Sequence, residues 1–274
     1  MIEIEGLSKR FALADPKRAA QSQRRDPRQR GRHFYSVESV SLSCPAGEVL
    51  GLIGPNGAGK TTTLRLLSGV LRPDAGRIVI DGEPLDTRDG ELRRRIGFLS
   101  ASTALYERLT VEENLRYFGQ LYGMTVQALD ERIALLQEQL AFSDFRHRRV
   151  MDLSSGMRQR ANIARAVIHQ PRAIVLDEPT TGLDIMATEV VLQFIDQQRQ
   201  SGVPVIFSTH HLEEICLLCD RLAVMQLGRT VFNGPLEAYA GSRDLEPLRR
   251  TFMAQALASR EESREVGDAQ AHLA

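Results

Sequence analysis

VLGLIGPNGAGKTT, residues 49–62, starts as an unbroken apolar run and ends in three glycines, a lysine and two threonines. A short apolar run of this kind reads as a strand buried on both faces, and the "TLRLLSGV" that follows has helical spacing. Between strand and helix, residues 54–61 fit the pattern G-x-x-x-x-G-K-[ST]. The physical sense of that pattern is a loop whose glycines let successive N–H groups converge on phosphate oxygens. Gly54, Pro55, Asn56, Gly57, Ala58, Gly59, Lys60, Thr61 and Thr62 are therefore candidate nucleotide-binding residues. Lys60 can reach β and γ phosphates, and the Thr61 hydroxyl can ligate Mg²⁺. A strand–loop–helix opening of this type predicts an α/β fold around a parallel sheet with crossover helices.

The next chemical element is AIVLDEPTTGLD, residues 173–184. A buried strand ending in Asp177 and Glu178 delivers two carboxylates to the edge where phosphates sit. One can serve Mg²⁺ through water, and the other can orient or deprotonate an attacking water. A reading in which either carboxylate merely caps the following helix is reasonable for one alone, but weak once the pair is set beside the phosphate loop. VIFSTHH, residues 205–211, ends another strand at His210, where an imidazole can meet a γ-phosphate oxygen. His211 carries no such expectation. LSSGMRQR, residues 153–160, offers Ser154 and Gly156 at a helix start, a second anion-receiving turn.

Around these motifs the chain divides by period. VESVSLS, residues 37–43, alternates as a half-exposed strand, which predicts a small antiparallel β part ahead of the phosphate loop. Residues 107–150 switch to helical spacing. Thr110 and Glu113 form a capping box before Leu115, Phe118, Leu121 and Tyr122, and a second helix carries Val126, Leu129, Ile133, Leu136 and Leu140. This predicts a helical subdomain inserted at about 102–155. A last amphipathic pattern holds Leu245, Leu248, Phe252, Ala256 and Leu257, and the charged text after Ala258 should fray. The expected organisation is a domain over 1–235 and a C-terminal helix and tail over 236–274.

Composition sets limits. Among 274 residues the charges balance to zero, so no global field points to nucleic acid or an anionic surface. No apolar stretch approaches the 18 or so residues of a membrane span, and the N-terminus lacks a signal-peptide core. The three cysteines make no disulfide framework; Cys216 and Cys219 are expected to be buried thiols rather than a redox or metal pair. One segment breaks the pattern. Residues 15–33 have no aliphatic larger than alanine and carry seven basic against two acidic residues, a composition that reads as a solvated, disordered loop.

In chain order, GPNGAGKT, LSSGM, IVLDEP, the GLD ending at Asp184 and STH resemble the phosphate loop, signature, magnesium strand, D-loop and switch histidine of an ABC-type ATPase. The resemblance spans about residues 1–235. IGFLSASTALYERLTVEENLRYFGQLYGM (96–124) and STHHLEEICLLCDRLAV (208–224) are most similar to subunits of sodium-efflux exporters within the ABC-2 class. The resemblance implies a P-loop core, ATP and Mg²⁺ as cofactors, and hydrolysis coupled to a separate membrane-spanning permease at the cytoplasmic face. It also implies a second nucleotide-binding subunit, in a homodimer where Ser154, Gly156 and Asp184 meet the partner's nucleotide. An adenine-stacking aromatic is implied too, with Phe11 and Tyr35 as candidates and Phe11 keeping the local "LSKRF" pattern. No nucleic acid partner is expected, although a non-transport ABC ATPase acting on nucleic acid or ribosomes, or an ATP-binding scaffold, are the alternatives.

Two positions depart from that pattern. Ala101 stands where most of the family has a glutamine whose amide touches Mg²⁺ and the attacking water, and Met157 stands where the signature usually has glutamine. The transported cargo is contacted by the membrane subunit in such systems, so sodium, a drug and a lipid-like molecule all remain open.

Overall fold

The computed structural model describes residues 1–13, 26–85, 90–100 and 104–257. Its strands are β1 (Ile2–Ala12), β2 (Gln29–Arg30), β3 (His33–Cys44), β4 (Val49–Ile53), β5 (Ala75–Ile80) and β6 (Glu83–Leu85), then β7 (Ile96–Leu99), β8 (Ala173–Asp177), β9 (Val205–Ser208), β10 (Arg221–Gln226) and β11 (Arg229–Pro235). Two sheets form. One is antiparallel, in the order β2-β3-β1-β5-β6; the other is six-stranded, in the order β11-β10-β4-β9-β8-β7. In the second, β10, β4, β9, β8 and β7 run parallel and only the β10–β11 hairpin is antiparallel.

The apolar runs at 49–53, 173–177 and 205–208 occupy the middle of this sheet because both of their faces are covered. Alternate residues feed two cores. Leu50, Leu52, Ala173, Val175, Ile206, Ala223 and Met225 face the antiparallel sheet and join Ile2, Ile4, Leu7, Val37 and Val40. Ile174, Leu176, Val205, Phe207, Leu222 and Val224 face the other way, where they meet the helices. Gly51 is required on that side. A Cβ there would lie 2.4 Å from Ile215 Cδ1 and 2.8 Å from Cys219 Sγ, so only glycine lets helix Leu212–Leu218 come that close.

Between β7 and β8 lies the expected helical insertion, with helices Val111–Leu121, Val126–Gln139 and Ser155–Val167. The Thr110–Glu113 capping box is present in both directions. Leu115, Leu129, Ile133, Leu136 and Leu140 are buried together, but Leu121 and Val126 point outward from the ends of their helices, where the helical stripe has rotated off the core. Glu112 ties the subdomain together through ion pairs to Arg116 and Arg146.

Two expectations need amending. Residues 15–25 of the basic segment fall outside the described residues, but residues 26–33 are not a free loop. They turn at Asp26 and pair as β2 against the start of β3, with Gln29 opposite Phe34 and Arg30 opposite His33. Arginine stems here cover aromatic rings, Arg28 over Phe34 and Arg30 over Tyr35, which supplies the apolar contact the composition lacks. At the other end, packing does not stop at residue 235. Leu236 and Leu248 are fully buried in the helical-side core, so helix Leu236–Ala240 and the helix over 245–257 lie on the same body.

All three cysteines are free thiols, but of the pair expected to be buried only Cys219 is; Cys216 is half-buried. Cys44 and Cys219 are buried; burial pushes the Cys44 thiol up to about 12 and raises the Cys219 thiol well above its ordinary value.

Candidate functional site

The site grows from the C-terminal ends of β4, β8 and β9, three neighbouring parallel strands whose following loops meet at one edge. After β4 the chain turns through Gly54, Gly57 and Gly59, all at positive φ, into helix Lys60–Leu67. The loop has no room behind it. A Cβ on Gly54 would lie 2.3 Å from the Met225 carbonyl oxygen, and one on Gly59 would lie 2.7 Å from that of Ser36. The supporting bonds come from distant segments: Gly228 N–H donates to Ala58 O at 2.9 Å, and the Ser36 and Thr62 hydroxyls are 2.9 Å apart. Gly57 faces open space.

Lys60 is 8% exposed, and its ammonium donates to the Gly54 carbonyl at 2.7 Å and to that of Pro55 at 3.4 Å. Burial pulls its pKa down, against which Glu178 and Asp177 act to keep it charged. Thr61 Oγ1 donates to Asp177 Oδ1 at 3.2 Å, and Ser208 Oγ donates to the same oxygen at 2.7 Å. Ser208 Oγ also accepts from the Glu178 N–H at 3.0 Å, so one hydroxyl on β9 ties the Asp177 carboxylate to the backbone amide of Glu178, the residue that follows β8. Glu178 adopts φ +54, an uncommon conformation for a residue with a side chain. Its Oε2 accepts from Thr181 Oγ1 at 2.6 Å and from His210 Nδ1 at 2.6 Å. Burial would raise the Glu178 pKa, but the hydrogen bonds from Thr181 and His210 and the Lys60 charge outweigh it and hold the carboxyl below its ordinary value.

This arrangement constrains chemistry. A hydroxyl and a carboxylate oxygen side by side are hard donors of the kind Mg²⁺ prefers, in a site where phosphate oxygens complete the shell. Thr61 and Asp177 therefore fit the ion. With Oε2 accepting from both Thr181 and His210, Oε1 is the Glu178 carboxylate oxygen left without a side-chain donor among the described residues. Nδ1 of His210 donates to Glu178, so a neutral ring has an acceptor at Nε2; donating to a phosphate oxygen there requires the imidazolium or a broken Glu178 contact.

The second anion turn lies on another face of the same fold. Ser154 is the N-cap of helix Ser155–Val167, its hydroxyl accepting from Met157 N at 3.3 Å. Gly156 lies under the start of the next long helix, where a Cβ would meet Ala187 Cβ at 3.0 Å and Asp184 Oδ2 at 3.8 Å. Asp184 itself caps helix Ile185–Gln200, accepting from Ala187 N at 2.8 Å. Gln159 reaches Pro179 O at 2.8 Å, which couples the signature helix to the loop after Glu178. Ile185 and Met186 are 86% and 76% exposed beside it, a bare apolar step next to the signature turn. Met157 packs partly into the core where an amide was expected. Ala101 falls outside the described residues.

Of the two aromatic candidates, Phe11 stands at the end of β1 paired with Phe34, 40% exposed, with Lys9 5.9 Å above its ring. Tyr35 has one face covered by Arg30 at 4.4 Å. Thr181, Ser208, Ser36 and Arg28 belong to the site region without having been singled out by motif. Single hydroxyls and an arginine inside a basic run carry no spacing signal of their own.

A two-sheet α/β core with a phosphate loop, two strand-end carboxylates and an inserted helical subdomain defines an ATP-binding cassette. The chain belongs to the ABC transporter family, whose sequence profile matches residues 37–181. It is 42% identical over 221 residues to the ABC transporter ATP-binding protein NatA of Bacillus subtilis, covering 80% of this chain and 90% of that one. It is 41% identical to a Nod factor export ATP-binding protein I of Burkholderia lata over 72% of this chain and 65% of the relative. Linearmycin resistance ATP-binding protein LnrL of Bacillus subtilis is 34% identical, over 72% of this chain and 64% of its own length. A solved ATP-binding subunit of an ABC transporter superposes with a TM-score of 0.76 at 28% identity, over 92% of this chain and 99% of that one. A dimeric bacterial ABC transporter cassette superposes with a TM-score of 0.73 at 25% identity, over 86% of this chain and 99% of that one.

Proposed function

We propose that this chain is the ATP-hydrolysing subunit of an ABC exporter, working as one of a pair on a separate membrane-spanning permease at the cytoplasmic face of the membrane. The observation that carries the reading is the path Thr61–Asp177–Ser208–Glu178–His210, in which Ser208 links the Asp177 carboxylate to the Glu178 backbone N–H and the Glu178 carboxylate in turn meets His210, so that the phosphate loop, both acidic residues and the histidine are held together. Among the described residues no helix is long and apolar enough to cross a membrane, so the permease is a different polypeptide or segment.

In this reading Gly54 to Thr62 cradle the phosphates and Lys60 turns from its loop carbonyls to the β and γ oxygens. Thr61 and Asp177 hold Mg²⁺, which neutralises charge developing on the phosphates. Glu178 orients the attacking water and accepts its proton at Oε1, while Thr181 and His210 fix its carboxylate plane. Phe11 is the adenine-stacking residue. The exposed aromatic pair Tyr106 and Tyr117, with ring centroids 5.1 Å apart, and the exposed Leu121 and Val126 form the face of the helical subdomain that the permease covers. The Nod factor export relatives support an exporter, and the cargo class is that of the permease: sodium, a drug or a lipid-like molecule.

Ser154, Gly156 and Asp184 then serve the nucleotide of a second subunit in a two-fold, head-to-tail pair. The test mixes two inactive variants, Lys60→Ala and Gly156→Asp. A mixed pair contains one site with both lesions and one assembled from two undamaged halves, so activity returns to at most about a quarter of the parental level when subunits exchange at random. A mixture that stays dead after subunit exchange has been verified refutes the shared site.

A further inference from the structure

The basic segment ahead of the phosphate loop ends in an ordered arm, and one of its side chains touches the loop itself. Arg28 Nη1 donates to the Gly57 carbonyl oxygen at 2.5 Å. Its remaining donors are fixed: Nε and Nη2 make a bidentate pair with Asp26 at 2.9 and 2.6 Å, and the guanidinium lies 4.6 Å above the Phe34 ring. The side chain is 12% exposed, held on three sides. Arg28 O in turn accepts from Tyr35 N, which anchors the arm to β3, and one residue further along β3 Ser36 bonds Thr62. Gly57 sits at φ +79 with nothing within 4 Å of where a Cβ would stand, and the Ala58 N–H of the same peptide unit donates to Pro55 O at 3.0 Å, so the turn holds one end of that plane and Arg28 holds the other.

We propose that Arg28 is a positioning residue for nucleotide binding: by holding the Gly57 carbonyl, it fixes the orientation of the peptide planes at the tip of the phosphate loop. A peptide's C=O and N–H point in opposite directions, so a carbonyl tied outward to a guanidinium keeps the neighbouring amides from flipping their oxygens toward phosphate. An anion site built on backbone N–H groups depends on that orientation. Asp26 and Phe34 keep the guanidinium in place, and the arginine fork suits this better than an ammonium could, because it satisfies a bidentate carboxylate, a ring face and a carbonyl at once. This inference rests on the reading of residues 54–62 as a nucleotide site.

The test measures ADP and ATP affinity of the purified full chain by isothermal titration, and hydrolysis with the permease present. Arg28→Ala is expected to weaken ADP and ATP binding equally, by roughly 5- to 30-fold, with KM rising in parallel and kcat within about twofold. The equality follows because the loop tip is oriented for both nucleotides. Arg28→Lys, which retains a donor but loses the fork and the stacking, should recover part of the loss. Asp26→Asn should give a smaller loss in the same direction. Unchanged affinity in Arg28→Ala, or a loss confined to kcat or to ATP alone, overturns the inference. A parental protein that binds neither nucleotide instead overturns the reading of the site. A global structural effect is separated by the melting temperature: affinity loss only in proportion to lost stability, without recovery by lysine, also counts against a positioning role.

Discussion

Replacing Glu178 by glutamine isolates one oxygen. Thr181 and His210 both donate to Oε2 at 2.6 Å, and a glutamine can present its carbonyl oxygen there, which leaves its NH₂ where Oε1 was. Geometry beside Mg²⁺ is thus preserved while the group that takes the water's proton becomes a donor. Two considerations set the size of the effect. General base catalysis contributes about 10² to 10⁴ in rate. The carboxyl here is held below its ordinary pKa, a weak base at neutral pH, so its share lies toward the lower end, about 10²-fold or about 2.7 kcal/mol of barrier. Nucleotide affinity should stay within about threefold, because phosphate contacts are untouched. The assay is steady-state phosphate release with the permease present, paired with equilibrium ATP binding. A variant that hydrolyses ATP near the parental rate refutes the role of Glu178 as base, and one that loses binding in step with hydrolysis refutes the separation of the two functions.

Two further outcomes follow from packing and charge. Gly54→Ala should destabilise by roughly 3 kcal/mol or more, because its Cβ would stand 2.3 Å from the Met225 carbonyl on a central strand. Gly57→Ala, with nothing within 4 Å, should cost only about 1–2 kcal/mol of left-handed strain; equal losses in denaturant unfolding would contradict the packing argument. In the helical subdomain, hydrogen bonding by Arg146 and then Arg116, against a burial penalty, holds the Glu112 carboxyl at about 2. Its folded pKa lies below its unfolded one, so its contribution is present above about pH 4.5 and is lost as pH falls toward 2. Glu112→Gln should therefore cost about 1–2 kcal/mol at pH 7, after allowing for solvent screening, and almost nothing near pH 2; a pH-independent difference in unfolding free energy would contradict it.

What the sequence made legible was what periodicity and local motif encode. The doubly buried runs at 49–53, 173–177 and 205–208 could only be central strands, and the capping box at Thr110 named its own helix. The order of strands in the sheet was not legible, because pairing β4 between β10 and β9 is decided by two-sided burial of residues more than 150 positions apart. The motifs marked Lys60, Asp177, Glu178 and His210, and these four do converge. The hydroxyl of Ser208 that joins the Asp177 carboxylate to the Glu178 backbone N–H was invisible, since a serine at a strand end has no signature apart from the partner it meets. The basic segment was misjudged over 26–33 for a related reason. Composition counts aliphatic residues, whereas this arm is ordered by guanidinium groups lying on Phe34 and Tyr35.

The back of the phosphate loop rests on Ser36, Met225 and Gly228. For a chain leaving the ribosome this has a temporal meaning. The loop itself emerges early, with the strand that will carry it, but its tight turn at Gly54 has no wall until β10 inserts beside β4, some 170 residues later. Until then the strand edge of β4 is unpaired and the turn is free to collapse into other shapes. Nucleotide competence therefore arrives at one late moment of synthesis, when β10 and its hairpin partner β11 close the sheet. Truncated products that stop before residue 221 would carry every motif and still lack a site, exposing an apolar edge to whatever chaperones or proteases are at hand.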